Sequence, residues 1–423
     1  MFSIKDYKCP ENKIFLFLFI QLVSLVGSKI SHAAIGFWIY SKTGSVMDFS
    51  LVLFCSFLPN VIGSFISGPI VDKTDFNKTF GLGDIVSAII MLITAALVIT
   101  GTGAIKYLYL VIFGVSAISA LQWVAINAYL PKVLKDENLS KSVGWLSTAT
   151  SLAGLLATSL ASLLISTIGI HIIFIFDAFT YLLSAYIVFS LLPAGSKPIE
   201  PVKSSTFVSD FRAGFIYLNG QKQIFLLIIL FVVFNLFAGI NTNLMTPLFL
   251  ERYSVKYAGY LLGIFSAGAL IAGMVQTVTP KLARLRRNIP LLMLFIFIEN
   301  SLIGYFSFPL TIVGLMFLLG ANITLINTST TLILQENVAS DYRGRIFATA
   351  RGLSWITVPI SQLACGAIAD MCFRLFFKGT EKNVFLGNAF LAINVTAALL
   401  FICYMYFGKK PEFGDNATAQ ARV

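Results

Sequence analysis

Lys29 and His32 stand one helical turn apart inside an apolar run that extends from Ile14 to Tyr40. An ionisable group at the centre of a membrane span costs at least about 2.5 to 3.5 kcal/mol, so Lys29 must face a water-filled cavity or a partner. Gln21, Ser24 and Ser28 continue a polar stripe at helical spacing beside them. One wet face of a first helix would suit contact with a substrate carboxylate, and His32, whose charge changes near neutral pH, would suit proton exchange. A charge bonded to a neighbouring helix and a hydrogen-bonded core histidine would account for the same two residues without chemistry.

Carboxylates recur in two other apolar runs, at Asp177 and at Glu299; a structural role is expected for each, and the deeper Glu299 is the better relay candidate of the two. Neutral amides are spread more widely, with Asn235, Asn241 and Asn243 in one run, Asn322 and Asn327 beside Thr324 in another, and Gln122 and Asn127 in a third. An amide in lipid needs a partner, which either a substrate or a neighbouring helix can supply. Phe37, Trp38 and Trp123 lie among them and would suit a large apolar ligand.

These residues need helices to hold them, and composition states which kind. With 57% hydrophobic and 12% charged residues, the 423-residue chain lacks the polar surface of a soluble protein. A hydrocarbon core about 30 Å thick takes about 20 apolar residues as a helix. The spacing predicts twelve such spans, at 14–40, 48–71, 80–101, 106–130, 142–167, 171–192, 223–250, 256–280, 289–308, 309–335, 345–371 and 384–408. Pro59, Pro247 and Pro359 are expected to interrupt three of them. The net charge of +11 sits in alternate short connections, as the positive-inside rule requires of cytoplasmic loops. Both termini are therefore expected in the cytoplasm, and nucleic acid is not an expected partner.

The expected organisation is an N-terminal six-helix bundle at 1–192, a cytoplasmic linker at 193–222, a C-terminal six-helix bundle at 223–408 and a tail at 409–423. The linker carries Pro193, Pro198 and Pro201, followed by an amphipathic run through Phe207, Phe211, Phe215 and Tyr217. An internal repeat overlays Leu130–Glu137 on Leu334–Asp341 and Phe15 on Phe225, with hydropathy persisting better than identity. Five cysteines make no framework. Cys365 and Cys372 share a helix face without His or further Cys beside them, so neither a metal site nor a cofactor is expected.

Two loops carry the most specific chemistry. Gly68-Pro69-Ile70-Val71-Asp72-Lys73-Thr74-Asp75-Phe76-Asn77-Lys78 joins a glycine that could end a helix, an aspartate that could sit at a helix N-terminus, and cations at Lys73 and Lys78 that could close on a carboxylate. The other is Asp341-Tyr342-Arg343-Gly344-Arg345-Ile346-Phe347. The 68–78 loop resembles the one between helices 2 and 3 of the major facilitator superfamily. The 341–347 loop is similar to the one between helices 10 and 11 in the macrolide-efflux and enterobactin-exporter-like branch. Further matches are Gln122, Pro131–Leu139, Ser41–Ser45 and Gly366–Asp370, so the resemblance covers about residues 12 to 408.

That resemblance implies a proton-coupled exporter of a bulky amphipathic molecule, working by alternating access in the bacterial inner membrane, with Gly68, Asp72, Lys73, Lys78, Arg343, Gly344 and Arg345 as gating latches. A monomer is expected. One departure is that Ala157-Thr158-Ser159-Leu160-Ala161-Ser162 stands where exporters carry a Gly-Pro-rich helix 5 pattern, although its small residues still permit close helix packing. An importer of the same fold, such as a siderophore or muropeptide permease, is the alternative. A membrane-embedded enzyme or scaffold is an alternative of another class, against which stand the absence of a paired nucleophile and base and of a nucleotide loop.

Overall fold

The structure, a computed structural model, describes residues 11–71, 74–101, 105–134, 136–192, 221–278, 289–337, 340–377 and 379–407. Among them are twelve helices and no strand. They are α1 (Glu11–Thr43), α2 (Val46–Val71), α3 (Phe76–Ile99), α4 (Ile105–Val133), α5 (Asp136–Thr167), α6 (Ile170–Leu191), α7 (Lys222–Arg252), α8 (Val255–Val278), α9 (Ile289–Tyr305), α10 (Pro309–Asn337), α11 (Ser340–Phe376) and α12 (Lys382–Phe407). Ten are long and apolar enough to cross a membrane. The other two are the 32-residue α5, whose side chains are described only in part, and the 17-residue α9.

Local chemistry explains the tight turns. Gly44 closes α1 with φ 60, a left-handed conformation that favours glycine, and its N–H donates to Tyr40 O at 2.7 Å. Ser45 Oγ then accepts the Asp48 N–H at 3.0 Å and starts α2. Gly169, at φ 83, does the same work between α5 and α6. The acid that caps α3 is Asp75, which accepts from the Asn77 N–H. Asn77 in turn donates from Nδ2 to Leu192 O at 3.2 Å, at the end of α6.

The chain forms two compact units. The first holds α1 to α6 with Tyr253–Gly263, and the second holds α7, the rest of α8 and α9 to α12. In the first, α1 packs on α5 and α6, α2 on α4, and α3 on α6. In the second, α7 packs on α11 and α9 on α12, so two of the pairings recur. The third recurs through glycines, since a Cβ at Gly268 or Gly320 would fall on the Phe317 or Phe265 carbonyl oxygen, pairing α8 with α10. Gly63 against Ala120 is the counterpart between α2 and α4. Within the first unit, Ser159 and Ser162 of α5 meet Gly259 and Gly263 of α8, with Ser159 Oγ donating to Gly259 O at 3.2 Å. Small residues at 157–162 therefore do permit the close packing that the sequence leaves possible.

Aromatic rings fill the core of each unit. In the first, Phe76 stacks on Tyr129 at 4.0 Å and Phe17 meets both Phe76 and Phe80 edge-on, which seats the turn around Leu130 and Leu134 against α1 and α3. In the second, Phe297 of α9 contacts Phe234 and Phe237 of α7 and Phe401 of α12.

Arg252 at the end of α7 caps α9. Its Nη1 donates to Ile303 O at 2.9 Å and to Phe306 O at 2.8 Å, and Nη2 donates to Gly304 O at 2.5 Å. These are carbonyls that a helix end leaves without intrahelical donors, and a cation there also suits the negative end of the helix dipole. Arg252→Met keeps most of the apolar stem and removes all three bonds. It is expected to lower the stability of the purified protein by about 1 to 2 kcal/mol, read from thermal unfolding in detergent. An unchanged unfolding temperature would mean that water caps those carbonyls equally well.

One expected boundary moves. Helix α2 ends at Val71, as the span at 48–71 predicts, with Gly68 inside it and not at its end. The backbone from Asp341 to Arg345 belongs to the first turns of α11 and not to a loop. Pro247 and Pro359 lie inside α7 and α11, and α2 likewise runs on through Pro59. A missing amide bends such helices without ending them when neighbours hold both sides.

Candidate functional site

The polar stripe of α1 is largely a seam against α6. Gln21 Nε2 donates to Ser184 Oγ at 2.5 Å. Ser28 Oγ lies 2.8 Å from Tyr181 Oη and 3.3 Å from Asp177 Oδ1, and Ser24 is buried. The expectation of one uniformly wet face therefore fails for these three residues, because α6 supplies hydroxyl and carboxyl partners at matching heights. Lys29 alone of the stripe is exposed. His32 is half-buried, and its Nε2 is enclosed without a hydrogen-bond partner.

Gln122 turns inward from α4, where Nε2 donates to Asp84 Oδ1 at 2.8 Å and to Phe80 O at 3.0 Å. Ser184 Oγ donates to the other oxygen, Asp84 Oδ2, at 2.5 Å. Four helices thus converge on Asp84 through Gln21, Ser184 and Gln122. Gly83 makes room for this, since a Cβ there would lie 3.0 Å from Gln122 Nε2. Gly27 does so for Asp177, whose Oδ1 would stand 3.0 Å from a Cβ on α1.

The second unit repeats the plan with different side chains. Asn322 Nδ2 on α10 donates to Glu299 Oε1 on α9 at 2.5 Å, as Gln122 on α4 does to Asp84 on α3. Asn241 on α7 and Asn394 on α12 exchange amide bonds at 2.9 and 2.8 Å, where the first unit has Gln21 and Ser184. In the second unit the two polar pairs stay separate, and Glu299 Oε2 is buried without a partner.

The remaining amides divide by environment. Asn235 is half-buried and folds back on Phe231 O at 2.9 Å, and exposed Asn127 on Trp123 O at 2.7 Å. Asn327 is exposed, Asn243 is buried with Nδ2 donating to Gln362 O at 2.9 Å, and Thr324 Oγ1 donates to Gly320 O within its own helix. Lys29, Asn127 and Asn327 are thus the predicted site residues open to a ligand, while Gln122, Asn241, Asn322 and Glu299 are engaged between helices. Of the latch residues, Lys78 is exposed on the first turn of α3 and Gly68 lies within α2. Asp72 and Lys73 fall outside the described residues, and for Arg343, Gly344 and Arg345 only the helical backbone is described.

Asp84, Ser184 and Asn394 are absent from the residues that the sequence singles out. The signal for Asp84 was present, since it is a carboxylate in an apolar run, as Asp177 is. It lies inside the span expected at 80–101, close to the polar Asp72–Lys78 turn, and the helix begins still earlier, at Phe76.

Comparison with known proteins places this geometry. A sequence model of the Major Facilitator Superfamily matches residues 17–362. The chain is 22% identical over 361 residues to macrolide efflux protein A of Streptococcus pyogenes, covering 83% of this chain and 87% of that protein. It is also 22% identical over 408 residues to the uncharacterised MFS-type transporter YvqJ of Bacillus subtilis, covering 92% of each. Among solved structures, the nucleoside transporter NupG superposes with a TM-score of 0.68 at 16% identity, over 93% of this chain and 98% of that one. A D-xylose-proton symporter does so with a TM-score of 0.64 at 13% identity, over 94% and 99%. Twelve helices in a repeated pairing scheme, with that match spanning most of the sequence, make this chain a member of the Major Facilitator Superfamily, a multi-pass membrane transporter and not an enzyme.

Proposed function

We propose that the protein exports a bulky amphipathic small molecule, of the macrolide or siderophore kind, across the bacterial inner membrane in exchange for protons. The observation that carries this reading is the similarity to macrolide efflux protein A, which extends over most of both chains. Lys29 is the contact for an anionic group on the substrate, being exposed on a helix whose other polar residues are engaged. Asp72, Lys73, Lys78 and the Arg343–Arg345 turn act as latches that bias the inward and outward states. A difference of a few kcal/mol between two such states is enough for control.

Transport of macrolides and other labelled amphiphiles by the purified protein in liposomes, with the pH gradient set in either direction, tests this. Outward movement driven by an inward proton gradient is expected. Asp72→Asn and Arg345→Ala are expected to leave abundance near normal and to lower turnover about fivefold or more. Uptake instead of extrusion would sink the export assignment, and wild-type turnover in both variants would sink the latches.

A further inference from the structure

Asp84 on α3 and Asp177 on α6 are 2% and 0% exposed, in helices apolar enough to span a membrane. A buried carboxylate ion carries a penalty of several kcal/mol unless it is paired or well hydrogen-bonded. Here the facing groups are neutral. They are Gln122 from α4, Gly27, Ser28 and Ser31 from α1, and Ser184, Thr180 and Tyr181 from α6. Helix α5, which also packs on α6, carries no titratable residue between Gly144 and Thr167. Among the described residues no Lys, Arg or His pairs with either acid.

The hydrogen bonds then decide which acid can be ionised. Both oxygens of Asp84 accept, one from Ser184 and one from Gln122, as a carboxylate's oxygens do. The surroundings of Asp177 are different. Ser28 Oγ lies 2.9 Å from Ser24 O, 2.8 Å from Tyr181 Oη and 3.3 Å from Asp177 Oδ1, and a hydroxyl has one proton to give. Ser24 O can only accept and is nearer than Asp177 Oδ1, at 2.9 against 3.3 Å. With the Ser28 proton on Ser24 O, the Tyr181 hydroxyl donates to Ser28, and the contact to Asp177 is a hydrogen bond when Asp177 carries a proton of its own. Asp177 Oδ2 is buried with no hydrogen-bond partner, whereas both oxygens of Asp84 are engaged.

We propose that Asp177 is a proton-binding site, occupied in this state, with Asp84 as its ionised neighbour and half-buried Ser28 as the route by which the proton leaves. On release, the Asp177 O–H bond breaks as its proton moves onto Ser28 Oγ, the proton that Ser28 had given to Ser24 O leaves for water, and a second carboxylate charge remains in the core. Ser28 then donates to Asp177 Oδ1 and no longer to Ser24 O. Reprotonation restores the first arrangement. The proposal supplies the proton carrier for the coupled transport proposed above and rests on that reading for its physiological use.

Infrared titration of the purified full-length protein needs no substrate and so separates this site from the export assignment. The wild type is expected to show a protonated-carboxyl stretch that vanishes as pH rises. Asp177→Asn, whose amide can donate to Ser28 as the protonated acid does, is expected to fold and to lose that band. Asp84→Asn and His32→Gln are expected to keep it. Should Asp177→Asn fail to fold, Asp177→Glu is expected to shift the band in frequency. In a Glu299→Gln background, which removes the other buried carboxyl with an unpartnered oxygen, a band that Asp177→Asn leaves undiminished, that is missing at every pH, or that never titrates overturns the proposal. In liposomes, Asp177→Asn is further expected to abolish accumulation driven by an imposed pH gradient; accumulation that persists there but is lost in His32→Gln would move the carrier to α1 and overturn it as well.

Discussion

Gly320→Val is expected to abolish accumulation of folded protein. A Cβ at Gly320 would fall on the Phe265 carbonyl oxygen and within 3.0 Å of the Ala269 amide nitrogen, and both are backbone atoms that cannot rotate away. Gly268 meets the Phe317 carbonyl from the other side of the same crossing, so α8 has no room to shift along α10. Separating two such helices by the width of a methyl forfeits packing along their whole contact, and in lipid close packing between small residues is what holds helices together. Gly314 on the same helix has nothing within 4 Å of where its Cβ would be and serves as the control. Gly314→Val is expected to express normally, with a cost of about 1 kcal/mol or less. The measurement is the yield of monodisperse protein after detergent extraction, and equal yields for the two variants would mean that the glycine crossing does not hold the second unit together.

Asn322→Leu is expected to destabilise the protein by about 3 kcal/mol, because it strips a buried carboxyl group of its partner. Glu299 is 8% exposed, its Oε1 accepts from Asn322 at 2.5 Å, and its Oε2 has no partner. Glu299→Leu leaves behind only the amide of half-buried Asn322, so it is expected to cost less than half as much. The double variant is expected to recover most of the loss, since an apolar pair of similar volume has no polar atoms to satisfy. Thermal unfolding of the three variants in one detergent gives the cycle. Strictly additive losses would show that the two side chains do not depend on each other.

The fold class was legible in the sequence because it follows from solvation alone. Apolar runs of span length and a hydropathy repeat specify twelve helices without reference to which helix meets which. Local turn chemistry was legible for the same reason. Gly44 and Ser45 close and open adjacent helices, and Asp75 caps α3, through bonds no more than four residues long.

The partners of the polar side chains were decided only by the tertiary structure. Gln21 and Ser28 read as a wet face because helical spacing reports which residues share a face, not what lies opposite. The hydroxyls and carboxyl they meet, on Ser184, Tyr181 and Asp177, are 149 to 163 residues away. Asp84 gains its meaning in the same way, from Gln122 and Ser184, 38 and 100 residues away. The correspondence between the Asp84–Gln122 and Glu299–Asn322 pairs is likewise invisible along the chain, because the two halves keep the helix pairing while changing both the side chains and their spacing. A polar atom in a membrane must be satisfied, and which neighbour satisfies it is a property of packed helices, not of the order of residues along any one of them.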